Sequence, residues 1–488
     1  MTDPAARFSR AEAARVHPLT TAFADAQRFD LDPFQVAGCH ALEEGRSVLV
    51  AAPTGAGKTI VGEFAVHLAM LSGADKAFYT TPMKALSNQK FRELQGVYGE
   101  SAVGLLTGDT NINGNARIVV MTTEVLRNML YADSPALRDL RYVVMDEVHY
   151  LADRFRGAVW EEVIIHLPPE VRLISLSATV SNAEEFGDWL DTVRGDTEVI
   201  VSETRPVPLE QHVLVRGDLL PLFDDRAGIA TAQVNQELMR IRSFKGPTYE
   251  NNRRVQEMRA SGGYDAARRR PHKGGRRPVR SANVQRIERL DRPEVVELLR
   301  RANLLPAIFF IFSRAGCDGA VQQVRRSGLR LTSREERDEI RQIVDERTRT
   351  LHDEDLAVLG FWDWRENLER GVAAHHAGLL PAFKEIVEEL FQRKLVKAVF
   401  ATETLALGIN MPARTVVLEK MEKFNGEARV AITAGEYTQL TGRAGRRGID
   451  VEGHAVIQWT EGLDPQAVAA LASRRTYPLN SSFRPTYN

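Results

Sequence analysis

Short β-branched or aromatic runs alternate with longer helical patterns along most of the 488 residues. A first series of candidate strands is Ser47–Ala51, Ala77–Thr80, Ile118–Met121, Tyr142–Met145 and Leu173–Leu176, and a second is Ala307–Phe312, Ala398–Phe400, Thr415–Leu418 and Ala455–Gln458. Alternation of strand and helix is typical of parallel sheets with helices on both faces. Two series predict an α/β chain with two doubly wound domains in tandem.

Composition narrows the class of protein. With 43% hydrophobic and 26% charged residues, the chain fits a soluble globular protein. No run approaches 18 uncharged apolar residues, and the charged N-terminus is unlike a signal peptide. Two cysteines cannot form a disulfide framework or a structural zinc site on their own. We therefore expect a cytoplasmic protein with no membrane association and no structural metal.

The segment Ala52-Pro53-Thr54-Gly55-Ala56-Gly57-Lys58-Thr59 directly follows a predicted strand and opens a predicted helix. Glycines let backbone amides curl around a phosphate chain, aided by the helix N-terminus. Lys58 can reach terminal phosphates, and the Thr59 hydroxyl can coordinate Mg²⁺. Ala52 stands where the strict P-loop pattern has glycine, so this is a relaxed form. The segment predicts a nucleoside-triphosphate site.

Adjacent carboxylates follow the predicted strand that ends at Met145. In Asp146-Glu147-Val148-His149, we expect Asp146 to hold Mg²⁺ and Glu147 to polarise the attacking water. Near the end of the chain, Gln439-Leu440-Thr441-Gly442-Arg443-Ala444-Gly445-Arg446-Arg447-Gly448 carries two arginines three residues apart. Arg443 and Arg446 share a face if this segment is helical, and they could stabilise charge on a γ-phosphate.

Together these segments resemble the DExH-box helicases of superfamily 2, and specifically the Ski-like, exosome-associated RNA helicases. The resemblance runs in order from about Phe29 to Asn488. Similarity to the Ski-like group rests on three longer strings, Arg156-Gly157-Ala158-Val159-Trp160-Glu161-Glu162, Arg205-Pro206-Val207-Pro208-Leu209-Glu210 and His375-His376-Ala377-Gly378-Leu379-Leu380-Pro381.

The resemblance implies two tandem RecA-like P-loop domains and an ATP-driven motor that moves along single-stranded RNA and unwinds or remodels structured RNA. Implied cofactors are ATP and Mg²⁺, and an RNA-degrading nuclease is an implied partner. Catalytic roles fall to Lys58, Asp146, Glu147, Gln439, Arg443 and Arg446. Nucleotide binding further involves Phe29, Gln35, the loop from Ala52 to Thr59, Gly408 and Asn410, with Gln35 reading the adenine.

The resemblance also assigns contacts to the nucleic-acid strand. These residues are Pro82, Lys84, Gly108, Thr122, Thr123, Arg127, Ser313, Arg314, Thr402 and Thr404. Amides and small hydroxyl groups can bind sugar-phosphate without reading sequence, as a translocating motor requires. A DNA helicase with the same motor is the alternative, since the choice of sugar depends on 2′-hydroxyl contacts. An idle nucleic-acid clamp and a small-molecule kinase fit the ordered motifs less well.

The expected domain boundaries follow from these motifs. Residues 1–28 form an N-terminal extension, 29–205 the first RecA-like domain, 206–462 the second, and 463–488 the start of a C-terminal region. Family members continue further, so we expect a fragment that holds the two motor domains. Asn425-Gly426, between the runs Val416–Phe424 and Glu427–Thr433, predicts a β-hairpin, which in related helicases helps to split the duplex.

A basic insertion at about residues 240–286 interrupts the second domain, with 14 Lys and Arg against three Asp and Glu. It reads either as a solvated linker or as an arm that contacts phosphates.

If the insertion is a phosphate-contacting arm, its contribution to strand binding weakens steeply as salt rises. Deleting residues 268–277 should then flatten the dependence of affinity on salt concentration. Titrations of a labelled single strand at several salt concentrations check this. An unchanged slope in the deletion variant would count against direct contact.

Overall fold

The computed structural model describes residues 12–153, 156–224, 233–243, 289–349, 351–405, 411–424, 427–473 and 479–481. Within these residues the chain folds around two large sheets. We call the first sheet with its helices, residues 12–201, the first unit, and residues 209–473 the second unit. The boundary expected between residues 205 and 206 falls in the segment that joins the two sheets, and it stays a prediction.

The first sheet has eight strands in the order β4-β3-β5-β2-β6-β7-β1-β8. Its strands are β1 (Ser47–Ala51), β2 (Lys76–Thr81), β3 (Val103–Thr107), β4 (Thr110–Ile112), β5 (Ile118–Thr122), β6 (Leu140–Met145), β7 (Arg172–Ser177) and β8 (Thr197–Val201). All neighbours are parallel except β3 and β4. All five predicted strands of this half are present.

The second sheet has seven strands in the order β10-β9-β17-β14-β11-β13-β12, and only β9 and β10 are antiparallel neighbours among its described pairs. Its strands are β9 (Leu209–Val215), β10 (Asp218–Pro221), β11 (Ala307–Phe310), β12 (Val372–His375), β13 (Ala398–Ala401), β14 (Thr415–Leu418) and β17 (Gly453–Gln458).

Helices cover both faces of each sheet. Their ranges are α1 (Pro18–Asp25), α2 (Pro33–Glu43), α3 (Thr59–Ser72), α4 (Lys84–Tyr98), α5 (Thr123–Tyr131), α6 (Ala158–His166), α7 (Ala183–Arg194), α8 (Gln236–Ser243), α9 (Arg292–Arg301), α10 (Arg314–Arg326), α11 (Arg334–Thr348), α12 (Asp353–Val358), α13 (Phe361–Glu369), α14 (Pro381–Gln392), α15 (Ala434–Thr441) and α16 (Pro465–Ser473). The predicted fold class is confirmed.

Side chains alternate between the two faces of each strand, and this divides the core of each unit into two layers. In β1, Val48 and Val50 pack with α3 on one face, whereas Leu49 packs with α6 and α7 on the other. Buried on both faces, such strands are nearly continuous apolar runs, which is why the sequence revealed them. The second sheet is layered in the same way around Ile308 and Phe309 of β11.

The predicted hairpin is present, with a correction to its first strand. Strands β15 (Glu422–Phe424) and β16 (Arg429–Ala431) pair antiparallel, while the Asn425-Gly426 turn lies outside the described residues. The run Val416–Phe424 is not one strand, because its first three residues belong to β14 in the second sheet. Most of the basic insertion, residues 244–288, also lies outside the described residues.

The expected extensions at both ends pack against the units. Phe23 of α1, within the predicted N-terminal extension, lies in the core of the first unit. In the predicted C-terminal region, Val468 of α16 packs into the second unit, and Leu479 packs into the first. The described helices include none that is both long and apolar enough to cross a membrane.

A buried carboxylate directly after β14 pairs with two arginines, one just before α9 and one at its first residue. Glu419, with 4% of its side chain exposed, accepts hydrogen bonds from Arg289 and Arg292 at 2.7–3.0 Å. Removing the charge of one partner leaves the others incompletely paired in a desolvated site. These two ion pairs therefore fix the start of α9 against the end of β14.

We expect Glu419→Gln to lower the free energy of unfolding by about 2 kcal/mol, the scale of a hydrogen-bonded charge in a partly buried site. Urea denaturation measures the loss. Glu297→Gln, which breaks exposed pairs with Arg300 and Arg301 on one helix, is the control and should leave the unfolding midpoint unchanged. Equal effects of the two substitutions would contradict the anchoring role.

Candidate functional site between the two units

The parallel topology brings three polar segments to one edge of the first sheet. Strand β7 lies between β1 and β6, with Ala51 opposite Ser177 and Met145 opposite Ser175. The loop after β1, the carboxylates after β6 and the segment Ser177-Ala178-Thr179 therefore meet at the carboxyl ends of neighbouring strands. Ligands bind at this edge in open α/β sheets.

The loop from Ala52 to Thr59 has the backbone of a phosphate cradle. Gly55 and Gly57 have φ values of +81° and +86°, a conformation that side chains resist. A Cβ on Gly57 would lie 2.8 Å from Nε2 of Gln35. Helix α3 begins at Thr59, and Lys58 beside it is 7% exposed. Glycine is required at position 57 both by φ and by the close approach of Gln35.

Asp146 and Glu147 lie directly after β6, beside Lys58. The hydroxyl of Tyr79 donates to Oδ2 of Asp146 at 2.9 Å. Burial and the neighbouring Glu147 carboxylate raise the pKa of Asp146 to about 6. A buried carboxylate such as that of Asp146 is a hard oxygen ligand of the kind that Mg²⁺ prefers. This chemistry fits the predicted metal, for which Asp146 and the Thr59 hydroxyl are the expected ligands.

Glu147 lies in a strained backbone conformation, with φ at +55°. Burial raises the pKa of its carboxyl group, but Lys58, His149 and Arg443 lower it more strongly, so the pKa lies below its usual value. The group is therefore ionised at neutral pH. Its position next to Asp146 and Lys58 suits a carboxylate that orients water.

His149 joins the first unit to the second. Its Nδ1 accepts a hydrogen bond from the Ala178 amide at 3.3 Å, and its Nε2 lies 2.9 Å from Nε2 of Gln439. Burial and Lys58 lower the pKa of His149, although Glu147 opposes them. Through contacts at its two ring nitrogens, this imidazole connects Asp146-Glu147-Val148-His149 with Ser177-Ala178-Thr179 and with the other unit.

The two predicted catalytic arginines do not share a helical face. Helix α15 ends at Thr441, and Gly445 adopts φ +88°, so the segment from Gly442 onward is a turn. Arg443 is 9% exposed and interacts electrostatically with Glu147. Arg446 instead forms a bidentate pair with Asp450, both bonds being 2.7 Å long. Arg443 is the arginine that the structure places with the carboxylates.

The predicted adenine-binding residues differ in accessibility. Gln35 is fully buried, and its Nε2 donates to the Gly57 carbonyl at 2.8 Å. Phe29 is 48% exposed. Gly408 and Asn410 lie outside the described residues. Their roles in binding the nucleotide stay predictions.

A cleft of about 1240 Å³ runs between the units next to this site. Gly55, Lys84 and Asp109 line it on one side, and His376 and Thr404 on the other. Lys84 pairs with Asp109 at 2.9 Å, and Arg92 of α4 pairs with Glu385 of α14 at 2.6 Å across the cleft. Polar groups from both units thus face one groove.

The other predicted strand contacts fall into two groups. Gly108, Ser313 and Arg314 are exposed, and Arg127 and Thr402 are half-buried. The side chains of Pro82, Thr122 and Thr123 are buried. Thr123 donates to the Thr81 carbonyl at 3.4 Å, which leaves its side chain directed into the first unit.

Sequence reasoning missed several residues that shape the site. Tyr79 was seen only as part of a strand, and Arg205 only as part of a motif string, yet Arg205 donates to the carbonyls of Thr441, Gly442 and Ala444. Arg447, for which the sequence predicts no role, contacts Asp32 and Ala56 of the first unit. The sequence signal for Arg447 was its place as a third arginine in the same segment, after Arg443 and Arg446. In the described part of the chain, no cluster of three His, Cys, Asp or Glu could hold a metal.

Comparisons with known proteins agree with this geometry. The DEAD/DEAH box helicase family matches residues 32–186, and the helicase conserved C-terminal domain matches residues 330–448. Probable helicase HelY of Mycobacterium tuberculosis is 62% identical over 94% of this chain. The chain belongs to the DExH-box helicases.

More distant relatives place this helicase near the Ski2-like group, as the sequence indicated. The chloroplastic DExH-box ATP-dependent RNA helicase DExH15 of Arabidopsis thaliana is 40% identical, and the antiviral helicase SKI2 of Saccharomyces cerevisiae is 37% identical, each over 94% of this chain. The chain covers 49% of HelY, 39% of DExH15 and 38% of SKI2. It thus spans about half the length of HelY and less of the others.

We expect Gly57→Ala in this helicase to lower the affinity for MgATP by about tenfold or more. The new Cβ would lie 2.8 Å from Nε2 of Gln35, so Gln35 or the phosphate loop must move, and a disturbance of about 1.4 kcal/mol in binding is tenfold in affinity. Equilibrium binding of a fluorescent ATP analogue measures the effect.

Gly73→Ala provides a matched control, because Gly73 has a similar φ of +79° but nothing within 4 Å of the position of a Cβ. It should lose comparable stability and keep its affinity for nucleotide. Equal losses of affinity in both variants would show that backbone strain alone, not the contact at Gly57, is responsible.

Proposed function

We propose that this helicase hydrolyses ATP to move along single-stranded RNA and to unwind or remodel structured RNA. The observation that carries the proposal is the meeting of Lys58 and Glu147 of the first unit with Arg443 of the second, beside a cleft that both units line. Binding and release of nucleotide at such an interface changes the separation of the units and hence the shape of the cleft.

Nucleotide binding is assigned to the first unit. Backbone amides of the loop from Gly55 to Thr59 cradle the phosphates, and Lys58 neutralises their charge. Asp146 and Thr59 would hold Mg²⁺, which supplies positive charge to the terminal phosphates. Gln35 and Phe29 serve the adenine end of the site.

Hydrolysis uses the charges gathered around Glu147. Its ionised carboxylate orients a water molecule and accepts a proton as that water attacks the γ-phosphorus, while the bond to the β–γ bridging oxygen breaks. Arg443 stabilises the charge that develops in the transition state. The products are ADP and inorganic phosphate.

Coupling to the strand follows from the contacts between the units. His149 touches both Ala178 and Gln439, so a change at the carboxylates reaches the second unit through one side chain. Lys84 of the first unit and Thr404 of the second both line the cleft, which suits binding of a sugar-phosphate backbone from two sides. Cycles of closure and opening would shift one unit along the strand.

RNA is the proposed strand because two of the relatives above are an RNA helicase by name and a member of the Ski2 group. The nuclease partner and the cytoplasmic location stay predictions. The alternative strand, single-stranded DNA, is compared with RNA by measuring ATP hydrolysis.

Steady-state ATP hydrolysis should rise several-fold with single-stranded RNA and less with single-stranded DNA of equal length. Lys58→Ala serves as the blank, because removal of the charge abolishes phosphate binding. Equal stimulation by RNA and by DNA would support a DNA helicase as well as it supports an RNA helicase. Hydrolysis that no strand stimulates would contradict the motor.

Glu147→Gln should lower kcat by about a hundredfold or more, the usual contribution of a general base, while MgATP still binds. Rapid-quench measurement of phosphate formation separates a slower hydrolysis step from weaker binding of MgATP. Glu184→Gln, an exposed carboxylate on α7, is the control. Hydrolysis at the parental rate in Glu147→Gln would show that Glu147 does not have the proposed role of general base.

A further inference from the structure

Arg447 reaches from the second unit to the nucleotide loop of the first. Its Nη1 and Nη2 lie 2.8 and 2.9 Å from the two carboxylate oxygens of Asp32, and Nη1 also donates to the Ala56 carbonyl at 3.0 Å. None of the roles assigned above uses this side chain. Its three bonds therefore connect Arg447 to two residues that lie more than 390 positions earlier in the chain.

Asp32 is itself connected to the same loop. It precedes α2, where its backbone amide donates to Oε1 of Gln35 at 2.8 Å in a capping box. Gln35 in turn donates to the Gly57 carbonyl. The consecutive carbonyls of Ala56 and Gly57 are therefore each held by one side-chain donor, Arg447 from the second unit and Gln35 from the first.

Holding these carbonyls determines where the following amides point. A peptide group is planar, with its N–H opposite its C=O, so fixing the Ala56 carbonyl fixes the Gly57 amide. In the same way, the Gly57 carbonyl fixes the Lys58 amide. A loop that binds phosphate through its amides must turn its carbonyls outward, and a loop with two glycines at positive φ does not hold that arrangement unaided.

We propose that Arg447 is a positioning residue that completes the phosphate-binding loop only when the two units are together. The inference rests on the proposed function, since it assumes that the loop binds nucleotide. When the units separate, Gln35 still holds the Gly57 carbonyl, but the Ala56 carbonyl loses its donor. The loop thereby responds directly to the position of the second unit.

An arginine is required for this geometry. The planar guanidinium group presents parallel N–H groups to the Asp32 carboxylate and a further N–H to the Ala56 carbonyl. The ammonium group of lysine is a single point of charge and does not span the same acceptors. The arrangement therefore predicts that Arg447→Lys behaves like Arg447→Ala.

The test compares two nucleotides that report on different states. Dissociation constants are measured for MgAMP-PNP with single-stranded RNA, which requires the closed units, and for MgADP without RNA, which does not. In Arg447→Ala and Arg447→Lys, affinity for MgAMP-PNP should fall by about three- to tenfold, the range for a partly exposed charged pair with good geometry. Affinity for MgADP should stay within about twofold of the parental value.

Asp32→Asn isolates the ion pair, because asparagine caps a helix as well as aspartate does. It should reproduce the loss for MgAMP-PNP, and its combination with Arg447→Ala should be no worse than Arg447→Ala alone. Arg300→Ala, which breaks an exposed pair within α9, is the matched control and should bind both nucleotides normally.

Unchanged affinity for MgAMP-PNP in Arg447→Ala would overturn the proposal, as would an equal loss for MgADP. These binding measurements do not depend on hydrolysis. If the parental protein binds MgAMP-PNP but does not hydrolyse ATP, the proposed function fails while the role of Arg447 is still decided.

Discussion

The structure depends on how one cluster of buried charge is neutralised. Asp146 and Glu147 are adjacent carboxylates at the end of a buried strand, and burial of unpaired charges is costly. Within the first unit, Lys58 offsets both charges, and Lys90 also offsets that of Asp146. Arg443, itself buried, acts on Glu147 from the second unit. Because the cluster is balanced by both units, its electrostatics favour their apposition.

Much of this arrangement was predictable from the sequence for a simple reason. Strands buried on both faces are continuous apolar runs, and the polar residues that follow them must meet at one edge of a parallel sheet. Strand β1 was predicted with its observed bounds, and the positions of Lys58 and Asp146 follow from it. Strand β12 was missed because its alanines carry little β-propensity.

Contacts between the units could not be read in the same way. Arg443 and Arg446 would share a face only if their segment were helical, but Gly445 and the pair of Arg446 with Asp450 give it a different path. His149 meets Gln439 from 290 positions away in the chain. No local pattern encodes such a pairing, because it depends on how the two sheets pack against each other.

The proposed nucleotide site and the cleft share several of their lining residues, so a movement that changes one of them also changes the other. Gly55 belongs to the phosphate loop and also lines the cleft, and Arg446 and Arg447 of the second unit line the cleft as well. A displacement of the second unit that widened the cleft would therefore also withdraw Arg447 from the Ala56 carbonyl and Gln439 from His149. Coupling between the sites then needs no long chain of intermediates, because the same few residues form the boundary of both.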